Sequence, residues 1–382
     1  MRPLPAIIIL MVLNHIAFGG GRVTLTLFAL NQQASALTVG LLLALYAALP
    51  ALLSVAAGRW IDRIGMHKPM LVGSVGVGIS VLIPAIIPGL VPLYFAAVIG
   101  GVTFMVVNVA AYHAVGELSA PEDRAVNFSY VALGFSVSSF IAPVLAGVGI
   151  DNFGHRATFL LLASFTLLPV IGLATRQIAF PVPTVHADAP DSGHILDLLR
   201  DPAMRRLFMT MTILTVAWDV YAFAIPVHGS HLGLSASKIG VVMGAFAAAT
   251  FAIRLAIPFF VGRVQPWTLL VGALLVAGAS FVALAFVESV GAMMLFVFFL
   301  GLGLGAPQPM MLTLLHESAP KGRAAEAVGL RTTLINGSQT VMPVLFGAVG
   351  TVVGVAPIFW MIAIALILGG VFAAKMAKDP AA

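Results

Sequence analysis

Apolar runs of about twenty residues follow one another along almost the whole chain. A helix needs about 20 mostly apolar residues to cross a bilayer. Only helices and closed barrels satisfy every backbone polar group in hydrocarbon. The runs are continuous and lack the alternation over about ten residues that marks a barrel strand. They predict an all-α membrane protein with twelve transmembrane helices, near 5–29, 37–57, 70–87, 92–115, 125–149, 157–175, 207–229, 239–261, 267–287, 290–314, 328–350 and 355–374. Hydrophobic residues make up 60% of the 382 and charged residues 9%, against roughly 45–50% and about 25% in soluble domains. The surplus must face lipid. There is no cysteine, which excludes disulfides and thiolate chemistry. Met1 to Pro5 leads straight into an apolar stretch too long for a signal-peptide core, so no cleavable leader is expected.

One connector is long. Residues 176–206 gather prolines, aspartates and arginines near the middle of the chain. The chain therefore divides into an N-terminal six-helix bundle (1–175), a cytoplasmic linker (176–206) and a C-terminal six-helix bundle (207–382). The stretch Ile195–Leu199 suits a short helix on the membrane surface. Lys and Arg concentrate on the cytoplasmic side of membrane proteins. With both ends inside, fourteen of the nineteen fall there, only Arg156 and Lys238 fall outside, and Arg22, Arg254 and Arg331 sit within spans. The expected location is a bacterial inner membrane, multi-pass, with both termini cytoplasmic. The net charge of +5 forms no basic patch with interleaved aromatics, so no nucleic-acid partner is expected.

The halves also repeat each other at a spacing of about 200 residues. Pro143-Val144-Leu145-Ala146-Gly147 matches Pro343-Val344-Leu345-Phe346-Gly347. Ser119-Ala120-Pro121 with Arg124-Ala125 matches Ser318-Ala319-Pro320 with Arg323-Ala324, and Leu71-Val72-Gly73 matches Leu270-Val271-Gly272. Several matches in one order at near-constant offset point to duplicated halves. Many carriers use such halves to rock around a midplane site.

Between the second and third runs lies Gly58-Arg59-Trp60-Ile61-Asp62-Arg63-Ile64-Gly65-Met66-His67-Lys68. Gly58 allows close helix approach, and Asp62 can cap a neighbouring helix or pair with an arginine. The loop resembles the signature loop of the major facilitator superfamily, and length, span count, repeat and linker agree with it. The second-half counterpart, Gly262-Arg263-Val264-Gln265-Pro266, lacks the acid. Ala142-Pro143 with Gly134 and Gly147 resembles the glycine–proline motif of the family's exporters, with alanine in place of one glycine. The fourth span lacks the arginine usual in drug:proton antiporters. The resemblance, closest in pattern to bacterial efflux-type members, implies two pseudo-symmetric six-helix bundles and alternating access, and the protein is expected to work as a monomer. It makes Gly58, Asp62, Arg63 and Gly65 gate candidates.

Polar groups within spans are expensive and mark function by default. Asp219 is the one acid deep in a span. Two readings stand, a proton carrier and a structural ion pair with an arginine such as Arg22. Arg22 follows three glycines and can grip a carboxylate or phosphate. Arg331 reads as a side chain reaching for the interface, and Arg254 fits either a cavity or that role. The resemblance implies that spans 1, 4, 7 and 10 line the central cavity. This makes Asn14, His15, Arg22, Asn108, Asp219 and Gln308 wall candidates, joined by Arg254 and Tyr221. Trp218 and Tyr221 share a helix face, as a wall against an amphipathic solute or as lipid-facing packing. Asp219 points roughly 100° away from Trp218, so one narrow face cannot carry all three.

No phosphate-binding loop, HExxH or metal-ligand spacing occurs. The chain is not expected to be an enzyme or to need a cofactor or metal. The expected function is secondary transport of a small organic solute, anionic or amphipathic, most simply by proton-coupled efflux. Multidrug efflux by proton antiport and proton-coupled uptake of an organic acid are the alternatives. A non-transporting receptor on a carrier fold predicts an added soluble domain or long tail, which this sequence does not contain.

Overall fold

The computed structural model describes residues 3–120, 123–176, 198–260, 265–307, 311 and 324–377. Among them there are helices and no strand. The helices are α1 (Pro3–Asn31), α2 (Ala36–Ile64), α3 (His67–Ile86), α4 (Val91–Leu118), α5 (Arg124–Ser164) and α6 (Leu167–Ala174), then α7 (Pro202–His231), α8 (Ala236–Phe260), α9 (Pro266–Leu284), α10 (Val290–Gly305), α11 (Ala324–Val353) and α12 (Ala356–Ala377). Gly154, at φ 77° and ψ 169°, bends α5. The fifth span ends before this bend, and the sixth is the rest of α5 continued by α6. Most of the central linker, 177–197, lies outside the described residues, and so does most of the expected surface helix at Ile195–Leu199.

Nine helical stretches among the described residues are long and apolar enough to cross a membrane. One of them, Val126–Ala174, contains the bend and supplies two spans. With α10 and α11 this gives the expected twelve. Large side chains such as Phe95, Ile86, Leu168, Met361 and Leu368 are more than half exposed. In water that surface would drive aggregation; in lipid it is the solvated face.

The second span runs longer than its hydropathy suggests. Gly58 through Ile64 continue α2 as helix, and the turn is only Gly65 and Met66. Gly65 stops the helix at φ 78°, where a side chain would be strained, and its N–H still reaches the Ile61 carbonyl at 2.8 Å. Arg63 sits in the last turn, favourably placed against the helix dipole. The expectation that Gly58 admits a close neighbour fails, because the space beside it is open to 4 Å.

Within the first half α1 packs on α5 and α3 on α4; within the second, α9 packs on α12 and α8 on α10. The halves meet along two pairs, α5 with α8 and α2 with α11. Both seams are tightest at the end remote from the chain termini, here the far end. There the Pro143 carbonyl abuts Gly240 and the Pro343 carbonyl abuts Gly40, each so close that a Cβ on the glycine would collide. Toward the terminal end the same helices become exposed, as at Leu52 and Leu53 on α2 and Tyr130, Leu133 and Val137 on α5.

Candidate functional site

Below the far-end seams a cavity lies between the halves, with about 850 Å³ of empty space, part of it open to solvent. Helix α1 brings His15 and Arg22 to it, α5 brings Ser136, α7 brings Trp218 and Tyr221, and α8 brings Phe246 and Arg254. No aspartate or glutamate lines it among the described residues.

Each polar group has a definite anchor. His15 Nδ1 lies 2.5 Å from Ser138 Oγ, and the ring packs edge-on to Phe135 at 4.8 Å. Ser138 can also donate to the carbonyls of Gly134 and Phe135. With its proton used there, the hydroxyl accepts from Nδ1–H and leaves Nε2 of the neutral ring as an acceptor. The Arg22 guanidinium lies 6.0 Å from the centre of the Tyr46 ring, within cation–π range. Arg254 Nη1 donates to Ser136 Oγ at 2.8 Å, a bond from one half to the other. Arg254 is therefore a cavity residue and does not reach for the interface. Tyr221 is buried, its hydroxyl donates to the Met243 carbonyl at 3.0 Å, and its ring stacks on Phe246 at 3.8 Å. Trp218 meets Phe246 edge-on at 4.8 Å. These rings form a wall of the cavity and do not pack against lipid.

Asp219 lies elsewhere. It lines a second, smaller pocket inside the second half, with Thr215, Arg331 and Gln339. Its carboxylate accepts a 2.7 Å bond from Ser338 on α11. The side chain is only 5% exposed, so this charge-assisted bond offsets part of a large desolvation cost. The anticipated ion pair with Arg22 does not close to 4 Å, although the two charges still act on each other electrostatically. Arg331 also faces this pocket, contrary to the expectation that it reaches for the interface.

Two wall candidates, Asn14 and Asn108, line neither space. Asn14 is fully buried and its amide donates to the Leu10 carbonyl and to Ser74 Oγ on α3, so it ties helices together. It precedes His15 by one residue and points about 100° away. Asn108 has a buried carboxamide oxygen with no hydrogen-bond partner among the described residues. Gln308 and the side chain of Asp62 lie outside the described residues.

Ser138 and Ser338 were not anticipated, yet each stands five residues before the repeated proline, Pro143 or Pro343. Each holds the ionisable side chain of the half's first helix, His15 on α1 and Asp219 on α7. The repeat was the available signal, since serine alone is too common in membrane helices to stand out.

The sequence matches the profile of the Major Facilitator Superfamily over residues 7–338 and 207–382. The chain belongs to that superfamily. It is a multi-pass membrane transporter and not an enzyme. It is similar to Multidrug resistance protein 2 of Bacillus subtilis (strain 168), with 30% identity over 136 residues, 35% of this chain and 33% of that protein. It is also similar to Sugar efflux transporter A of Escherichia coli (strain K12), with 26% identity over 249 residues, 64% of this chain and 62% of that protein. Tetracycline resistance protein, class H, of Pasteurella multocida matches at 27% over 143 residues, 37% and 36% of the two chains. These alignments span from about a third to under two thirds of the relatives' lengths. Among solved structures, a POT family transporter in complex with 5-aminolevulinic acid superposes with a TM-score of 0.80 at 14% identity, covering 99% of this chain and 96% of that one. A bacterial homolog to the human lysosomal transporter Spinster, inward-facing and occupied, gives 0.77 at 14%, covering 98% and 96%. At such identity these likenesses speak for the fold alone.

Proposed function

We propose that this carrier exports a small organic solute, anionic or amphipathic, through the cavity between its halves, and that Asp219 takes and releases the coupling proton. The observation that carries the reading is the pair of arginines, Arg22 from one half and Arg254 from the other, on a cavity without a lining acid among the described residues. A guanidinium with little competition from carboxylates selects an anion, and the ring wall accommodates an apolar body. The efflux direction rests on the relatives, whose names are those of efflux and resistance proteins. Asp219 suits proton carriage because it is the buried acid of the second pocket and its partner, Ser338, is neutral.

The far-end seams then face the outside of a bacterial inner membrane, and both termini lie in the cytoplasm. This follows the Lys and Arg bias. The two bundles, 1–175 and 207–382, move against each other as a monomer about the linker 176–206. Gly58, Asp62, Arg63 and Gly65 lie at the cytoplasmic end of α2, where they serve the inner gate.

Proteoliposomes with an imposed pH gradient test this. Naphthalenesulfonate, which stays ionised, is the anionic probe, and ethidium is the lipophilic cation. The expected result is pH-driven naphthalenesulfonate flux that Arg22→Ala weakens by about tenfold or more, the scale of a lost hydrogen bond to a charged group. Asp219→Asn is expected to abolish the response to the gradient. Unchanged pH-driven flux in that variant removes Asp219 from the role. Movement of ethidium alone favours the second reading, multidrug efflux, which the Bacillus relative supports by its name.

A further inference from the structure

Helix α7 is a partition with two working faces. Met211, Thr215 and Asp219 recur every four residues and line the second pocket. Trp218, Tyr221, Ala222 and Pro226 line the cavity between the halves. Trp218 is the one residue common to both linings among those described. Its ring meets Phe246 of α8 edge-on. Asp219, the next residue, is tied to α11 through Ser338. Toward the far end from this point Pro226 lies inside the helix. It has no N–H to offer the Ala222 carbonyl four residues earlier, which makes α7 easy to bend or turn here.

We propose that Trp218 is the positioning residue that couples the two compartments: when the Asp219–Ser338 contact changes, α7 shifts about Pro226, where one backbone hydrogen bond is missing, and the indole moves against Phe246, reshaping the wall of the solute cavity. This rests on the reading of Asp219 as the proton carrier. The mechanical logic is short. The carboxylate and the indole are neighbours about 100° apart on one helix, so any turn of α7 that relieves one face displaces the other. The aromatic wall cannot absorb the motion easily. Tyr221 is held by its bond to Met243 and stacks on the same Phe246 ring.

Other charged or titratable groups bear on both spaces. Arg331 on α11 shares the Asp219 pocket, and the remaining lining from α10 and just beyond its end is the uncharged Leu304, Pro307 and Met311. On the cavity side stand His15 and Arg22 on α1, Tyr221 on α7 itself and Arg254 on α8. His15, the imidazole of this set, is the competing source of any pH response.

The test needs no solute, because the proton is the probe. A variant with Trp60, Trp267 and Trp360 changed to phenylalanine leaves Trp218 as the only indole. Its emission in detergent and in liposomes is followed from pH 5 to pH 9, in backgrounds with Asp219→Asn and with His15→Asn. The expected result is a pH-dependent shift in Trp218 emission that is lost in Asp219→Asn and kept in His15→Asn. If the triple replacement does not fold, 5-fluorotryptophan incorporated into the native sequence reports the same response by ¹⁹F NMR, with Trp218→Phe assigning the signal. A Trp218 signal blind to pH overturns the inference, as does one that survives Asp219→Asn or vanishes with His15→Asn. Failure of the proton reading looks different: pH-driven flux then persists in Asp219→Asn, whatever the indole does. Trp218→Ala adds a functional readout. It is expected to lower gradient-driven naphthalenesulfonate accumulation by a larger factor than exchange without a gradient, while Trp218→Phe retains part of the accumulation; equal losses in the two assays count against a coupling role.

Discussion

The two far-end seams are built from the same repeated segment and closed by different chemistry. Between α5 and α8, the Asp151 carboxylate accepts from the backbone N–H of Ala236 at 3.0 Å and of Ser237 at 2.8 Å, and Ser237 Oγ donates to the Gly147 carbonyl at 3.3 Å. Asp151 thus caps the N-terminus of a helix in the opposite half. Between α2 and α11, Thr351 stands in the place of Asp151. Its hydroxyl accepts one bond, from the Leu37 N–H at 3.0 Å, and donates to the Gly347 carbonyl at 2.8 Å. One seam is charged and carries three bonds between the halves, the other is neutral and carries one. A pair of like seams with unlike locks implies that they release unequally, with the α2–α11 side the easier to part.

The largest effect should come from the packing that both seams share. A Cβ at Gly147 meets the Ala236 carbonyl, and one at Gly347 meets the Ala36 carbonyl, backbone atoms that cannot swing aside. Gly147→Val or Gly347→Val should hold the far end open and stop transport. Because the chain has no cysteine, one introduced at Ala36 or Ala236, which pack against Gly347 and Gly147 in the two seams, reports opening by its labelling rate. The locks come next. Losing a capping side chain costs about 0.5–2 kcal/mol, so Asp151→Ala should raise labelling by roughly twofold to thirtyfold. Thr351→Ala removes one neutral bond and should do less. Equal effects would dissolve the distinction between the seams. Asp151→Thr should bring the charged seam down to the level of its partner.

The smallest effect is that of pH. Asp151 sits in the turn between the fifth and sixth spans, outside the bilayer-crossing segments. Burial alone would raise its pKa, but bonds from Ser237, Ser235 and Ala236 outweigh that and hold it below the ordinary 3.8. Its contribution to the closed seam is complete above that ordinary value and fades as pH falls through the lower, closed-state value. Labelling should stay flat from pH 5 to pH 8 and rise only below about 4. Asp151→Ala should show no such rise. A change near neutral pH would assign the lock to another group, His155 first, since it interacts with Asp151 electrostatically.

Much of this molecule was legible before any coordinates. Span length and apolarity required helices through lipid, because no other open structure satisfies the backbone there. The offset of about 200 residues exposed the two halves, and the angular step along α7 already separated Asp219 from the face of Trp218 and Tyr221. The Pro143–Gly147 and Pro343–Gly347 segments were visible as a repeat, but not as the seams they form with Gly240 and Gly40. The tertiary structure alone decided which polar residues meet. It sent Asn14 to Ser74 and Arg254 to Ser136, divided one expected cavity into two pockets, and placed Asp151 on a helix of the other half. The reason is physical. Burial in lipid depends on composition summed over twenty residues, which a sequence displays directly. A hydrogen bond between helices depends on their rotation and register to within an ångström or so, and that is fixed only when all the helices pack together.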